Sequence, residues 1–173
     1  EAAFAGATNP PEPFVPEGIL TYFVNELRVR DRATPYSMVT AADPRLLPTE
    51  LRDDEMLVSS WLAEALGAKA GDELTLGYFA VGPTRALLER TATFKVKGVY
   101  PINTPGIDRT LMPDFPGMTD AANCRDWDTG LPIQTDRIRP KDEEYWRDHR
   151  GTPKALITLA ELLSEQGYAT ACV

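Results

Sequence analysis

The chain has 173 residues, 43% of them apolar, which is enough to bury one sizeable core, so wholesale disorder is not expected. Lys and Arg number 18 against 26 Asp and Glu, which gives a net charge of −8 and an isoelectric point near 4.7. A surface this acidic repels phosphate backbones and anionic lipid headgroups, so no nucleic-acid partner is expected.

The first 17 residues contain four prolines and little periodicity, which indicates an extended leader or linker at 1–17. Residues 18–173 are expected to form the domain proper. The chain starts at Glu1 and has no apolar run near 20 residues. We therefore expect either a processed mature protein or a soluble piece of a longer one.

Two strands are predicted first, at 18–30 and 35–43, from β-branched and aromatic residues in imperfect alternation. A short buried strand at 56–58 then leads into a helix. Ser59 or Ser60 is the expected N-cap of that helix, and Gly67 is expected to end it by adopting a positive φ.

A hairpin is predicted from the strands at 73–81 and 91–100, which lie on either side of a polar tip. Residues 101–140 are rich in Pro, Gly and Asp without a clean period, and a stretch of this length is commonly functional. A surface helix at 141–150, a strand at 153–159 and a short helix at 160–167 complete the chain. The elements together predict an α+β fold of mostly antiparallel strands with short helices.

The stretch NCRDWDTGLPI at 123–133 gathers a thiol, charges and a tryptophan. Its DWDTG resembles the opening of a calcium loop, but the glycine comes one position early and no Glu stands at loop position 12. His149 is the only histidine, and zinc sites need several His or Cys ligands. A nucleophilic pair of Cys124 with His149 is conceivable, although neighbouring carboxylates disfavour a thiolate.

No nucleophile elbow, phosphate-binding loop or dinucleotide fingerprint occurs in the sequence. We therefore expect no enzyme activity, no cofactor and no metal. Cys124 and Cys172 lack CxxC spacing and are either free thiols or one disulfide.

Arginine and tryptophan dominate the energetics of protein interfaces. Arg109, Arg125, Asp126 and Trp127 are therefore the candidate partner contacts of the 101–140 segment. The alternative is that Trp127 and its charged neighbours hold the loop to its own domain.

Several blocks resemble the extracytoplasmic domains of FtsX-like (MacB-type) ABC transporter permeases. The first two are SWLAEALGAKAGDELTL at 60–76 and TFKVKGVYPI at 93–102. DRATPYSMVTA at 31–41 and the long block at 108–159 are similar to a subgroup of these permeases. The resemblance covers roughly residues 18–159.

The resemblance implies a MacB-like periplasmic core domain on the extracytoplasmic face of the bacterial inner membrane, anchored to the membrane through segments absent from this sequence. It implies as partners a cytoplasmic ATPase subunit, a second permease copy and a periplasmic protein or lipoprotein. Such a domain would be non-catalytic and would couple ATP hydrolysis to export or to a partner. Two alternatives remain: a secreted solute- or partner-binding module, and a hydrolase that uses carboxylates of the 108–136 loop.

Overall fold

Strands form where β-branched and aromatic residues lie between turn residues. The computed structural model describes residues 18–82 and 85–159. Its strands are β1 (Ile19–Val29), β2 (Arg32–Ala42), β3 (Glu55–Ser59), β4 (Glu73–Val81), β5 (Leu87–Tyr100) and β6 (Ala155–Thr158). Its α-helices are α1 (Ser60–Leu66) and α2 (Pro140–His149). Short 3₁₀ turns lie at Pro44–Leu46, Arg109–Leu111, Cys124–Asp126 and Thr135–Arg137.

The strands close into one mixed barrel in the order β1-β2-β6-β3-β5-β4, with β4 paired to β1. The β2–β6 and β3–β5 pairs are parallel, and the other four pairs are antiparallel. The predicted α+β fold with a MacB-like periplasmic core is therefore wrong. The predicted strands exist, but the parallel pairings bring together distant segments, such as Val39 opposite Ala155, and the sheet closes on itself.

Apolar side chains from all six strands fill the barrel interior, and α1 adds Leu62 and Leu66 to the same cluster. The alternation of β4 places Leu74, Leu76 and Tyr78 inside, as expected for a strand with one buried face. The largest fully buried side chains of this interior are Val24, Leu27, Val29, Met56, Val58, Leu62, Leu66, Leu74 and Val96.

β2 is buried along almost its whole length because both of its faces are covered. Val39 and Ala41 belong to the inner cluster, whereas Tyr36 and Met38 belong to a second cluster. Successive side chains of a strand point to opposite faces, so this second cluster lies outside the barrel. We call residues 112–146, which supply most of this cluster, the outer layer.

Helix α1 begins and ends at the capping residues that the sequence predicts. The Ser59 hydroxyl accepts the N–H of Leu62 at 3.2 Å, and Gly67 ends the helix with φ +64°. The predicted hairpin is formed by β4 and β5, whose register places Leu74 opposite Phe94.

The predicted leader at 1–17 and the predicted helix at 160–167 lie outside the described residues. Within the ranges 18–82 and 85–159, neither helix has the length and apolar character needed to cross a bilayer.

Candidate functional site on the outer face of the barrel

The outer layer covers the outer face of β1 and β2 with apolar side chains. Its buried members are Met118, Cys124, Ile138 and Trp146, and they pack on Tyr36 and Met38 of β2. Phe23 of β1, Met112, Phe115, Trp127 and Ile133 surround this cluster. The irregular 101–140 segment thus forms a second, smaller core together with Trp146 of α2 and the outer faces of β1 and β2.

Trp127 lies at the centre of the aromatic contacts in this core. Its ring meets those of Phe23, Tyr36 and Trp146 edge to face, with centroids 6.0, 6.5 and 4.9 Å away. Phe23 and Tyr36 are stacked on each other at 5.8 Å. Such pairs add about 0.5–1.5 kcal/mol each beyond their buried area. Trp127 is therefore held by its own domain.

The 3₁₀ turn Cys124–Asp126 is tied down by side chains on either side of it. The Glu143 carboxylate accepts the backbone N–H groups of Cys124 and Arg125 at 2.7 and 3.2 Å. The Arg125 guanidinium donates to the Ile138 carbonyl at 2.9 Å. Asn123 donates to the Asp126 carboxylate at 2.7 Å.

Cys124 is buried and unsuited to nucleophilic chemistry. Its thiol donates to the Asp142 carbonyl at 3.7 Å. Burial, aided by the negative charge of Glu143, raises the pKa of the Cys124 thiol to about 12. His149 packs instead against Tyr145, with ring centroids 5.0 Å apart. Cys172 lies outside the described residues.

A buried polar network joins α2 to the start of β2, and sequence reasoning missed it. Arg139 donates to both oxygens of the Asp142 carboxylate at 2.8 Å and to the Thr34 hydroxyl at 2.7 Å. Thr34 in turn donates to Asp142 at 3.1 Å. Burial opposes ionisation of Asp142, but the hydrogen bonds from Arg139 keep its pKa below the usual value. The Arg139–Asp142 spacing of three residues was the available signal.

Lys154 was also missed, because it stands in an apolar run just before β6. It is only 3% exposed, and its Nζ lies 4.3 Å from the centre of the Trp61 ring and 4.5 Å from that of Tyr145. Rings at these distances attract a cation. Burial lowers the pKa of Lys154 to about 8.

The predicted contact residues do not form one patch. Arg125, Asp126 and Trp127 lie together in and just after one turn, with the two charged residues exposed. Arg109 begins a different turn and lines a surface cleft with Asp148 and His149. Their role in partner binding stays a prediction.

Metal-ligating side chains are not grouped in the described part of the chain. Among residues 18–82 and 85–159, no three His, Cys, Asp or Glu side chains lie close enough to hold an ion. In the DWDTG stretch, Asp128 is exposed and its N–H donates to the Gly117 carbonyl at 2.8 Å, so its backbone ties the loop to the turn at Gly117.

No protein-family model matches this sequence, and none of the curated proteins does. Among solved structures, the chain is similar to the crystal structure of a domain whose name assigns it to a permease protein of Porphyromonas gingivalis. The two are 14% identical with a TM-score of 0.39, and the match covers 87% of this chain. The chain spans about half of that structure, 48% of its length. A similarity of this size carries no argument about function.

Proposed function

We propose that the chain is a non-catalytic extracytoplasmic domain of an FtsX-like ABC transporter permease. In that setting a separate cytoplasmic subunit hydrolyses ATP, and a second permease copy lies beside the first. The domain passes movement to a substrate, a lipoprotein or a periplasmic partner. The sequence blocks at 31–41, 60–76, 93–102 and 108–159 support this proposal through their resemblance to such permeases.

One structural observation carries the proposal furthest: the chain enters and leaves the described fold at a single point. A Cβ added to Gly18 would lie 2.9 Å from Cδ2 of Leu159. The register explains this contact, because Ile19 of β1 and Thr158 of β6 both pair with Ala42 of β2. Ends that lie this close together are common in domains and allow a domain to be inserted into a longer chain.

The closed barrel and its packed outer layer also suit a domain that transmits movement. A closed barrel fixes each strand to two neighbours, and the outer layer adds Trp127 and the Arg139–Asp142 network over β1 and β2. Packed interiors of this kind deform little and pass on a displacement applied at one side. The side chains of the 123–127 stretch stabilise the domain in this arrangement.

Cysteine labelling in the full-length parent protein tests the location. Val81 is 72% exposed, so Val81→Cys in a Cys172→Ser background should react with a membrane-impermeant maleimide in intact spheroplasts. Val58, which is fully buried in the barrel, gives the matched control, and Val58→Cys should react only after unfolding. If Val81→Cys reacted only after the spheroplasts were lysed, the extracytoplasmic assignment would be wrong.

A further inference from the structure

A small cavity lies between the outer layer and the barrel. It is lined by aromatic rings and by polar side chains that include Lys154, Asp142 and Arg150. About 20 Å³ of it is open to the centre of a water-sized sphere. One water needs about 10–15 Å³ on this measure, so the cavity has room for one small guest.

Two residues of the cavity lining, Trp127 and Lys154, carry hydrogen-bond donors for which no acceptor is found in the described part of the chain. The indole Nε1 of Trp127 is buried without a partner. Lys154 is only 3% exposed; its Nζ lies against the Trp61 and Tyr145 rings and is attracted by the charge of Asp142, but no hydrogen-bond acceptor for it is found among residues 18–82 and 85–159. Neither group can accept a hydrogen bond. A buried donor left unmet costs about 1–3 kcal/mol, so the guest that completes this site must be an acceptor.

The charge around the cavity favours an anion over water. Its lining carries two cations, Lys154 and Arg150, and one carboxylate, Asp142. That carboxylate attracts Lys154 and is bound at both oxygens by Arg139, so the three cations outweigh the one anion. A water could accept from the same donors and give its protons to the Asp142 carboxylate or to the Ser37 and Thr152 hydroxyl oxygens of the lining. An anion would gain, in addition, the attraction of the net positive charge.

We propose that this cavity binds one small monovalent inorganic anion of the chloride class, held by Lys154 Nζ and Trp127 Nε1. Trp61 and Tyr145 support the ammonium group from its other sides. The site ties β6 to the outer layer, because Lys154 immediately precedes β6 and Trp127 follows the Cys124–Asp126 turn. The inference holds wherever the domain resides, so it is independent of the proposed function.

Bromide is the probe for the test, because it replaces chloride and scatters anomalously. The purified chain is titrated with sodium bromide against sodium gluconate at constant ionic strength. We expect a saturable rise in Tm and an anomalous peak between Lys154 and Trp127 in crystals grown in bromide. An unchanged Tm together with no anomalous peak at this position would overturn the proposal, as would density for a water alone.

Two variants separate binding from general stability. Trp127→Phe keeps an aromatic ring and removes the N–H, so it should weaken bromide binding by roughly tenfold to a hundredfold, as expected for one hydrogen bond to a charged group. Lys154→Met should abolish the saturable response. Lys141, which also lies against the Trp61 ring at 5.9 Å but does not line the cavity, is the matched control. An equal loss in Lys141→Met would contradict the site.

Discussion

The carboxylate of Glu143 on α2 accepts the backbone N–H of Cys124 at 2.7 Å. The same carboxylate accepts the N–H of Arg125 at 3.2 Å. The first N–H groups of a helical turn have no partner within the turn, and Glu143 supplies one from a neighbouring element. Because this turn leads directly into Trp127, one glutamate fixes the position of the central ring of the outer layer.

Glu143→Gln should lower the free energy of unfolding by about 1–2 kcal/mol, since a neutral amide offers one acceptor in place of two charged ones. Urea unfolding of the purified chain measures this change. Glu144, the next residue and exposed to solvent, is the matched control, and Glu144→Gln should change the value by less than about 0.5 kcal/mol. Equal effects of the two variants would contradict the capping role of Glu143.

Trp127→Ala should lower the free energy of unfolding by about 2–4 kcal/mol, because it removes three edge-to-face contacts and leaves a void in the outer layer. Arg125→Ala, in the same turn but exposed, should have an effect of about 1 kcal/mol. Urea unfolding compares the two variants. If Trp127→Ala left the free energy of unfolding unchanged, the anchoring role of Trp127 in the outer layer would be disproved.

The sequence predicts those elements whose signals are local. The Ser59 cap and Gly67 define α1 because a cap and a left-handed residue act within one turn of the helix. The hairpin of β4 and β5 follows from two alternating strands with a short connection. In each case, residues close in the chain determine the structure.

Barrel closure and the outer core depend on contacts between distant residues. Alternation shows that β2 and β6 are strands, but it does not specify that Val39 lies beside Ala155 in a parallel pair. Trp127 likewise meets Phe23 and Tyr36, which lie about ninety or more positions earlier in the chain. Lys154 appears in the sequence as one charge before an apolar strand, and only the fold brings the Trp61 and Tyr145 rings to it.

Gly117→Ala should be far more destabilising than an ordinary glycine substitution. Gly117 has φ +79°, and an added Cβ would lie 1.9 Å from the Asp128 carbonyl oxygen. Gly106 has nearly the same φ, +80°, but no atom within 4 Å of an added Cβ. Gly106→Ala should therefore lower the free energy of unfolding only by the backbone strain of a positive φ, about 1–2 kcal/mol.

Thermal unfolding monitored by circular dichroism compares the two glycine variants. We expect Gly117→Ala to lose at least about 2 kcal/mol more than Gly106→Ala, or to leave the outer layer unfolded. If the two variants had the same Tm, the close approach of the Gly117 and Asp128 backbones would be disproved.

Cys124 should be almost inert to thiol reagents in the folded protein. With a pKa of about 12, only about one thiol in ten thousand is ionised at pH 8. In a Cys172→Ser background, alkylation by iodoacetamide at pH 8 should be about a thousandfold slower in the native protein than in urea. The native rate should rise about tenfold for each pH unit above 8. A native rate equal to that in urea would contradict the burial of this thiol.

The lowered pKa of Lys154 should make the free energy of unfolding increase with pH above about pH 8. Burial lowers its pKa from 10.5 to about 8 in the folded protein. Between these values the unfolded chain holds a proton that the folded chain has released, so the free energy of unfolding increases with pH. Below pH 8 both states are protonated, and a penalty on the order of 3 kcal/mol persists in full. Cys124 acts in the opposite sense above pH 9, because its folded-state pKa is raised from 9.0 to about 12.

Urea unfolding of the wild type and Lys154→Met in halide-free buffer isolates this contribution. We expect the free energy of unfolding of the wild type, relative to that of Lys154→Met, to increase from about pH 8 to pH 10, because the variant lacks the group that releases its proton in the folded state. Lys95 on β5 is exposed, and the difference between Lys95→Met and the wild type should stay constant over the same range. If the difference between Lys154→Met and the wild type also stayed constant, Lys154 would keep its proton in the folded protein throughout this range. The aromatic rings around it would then stabilise the ammonium group enough to offset its burial.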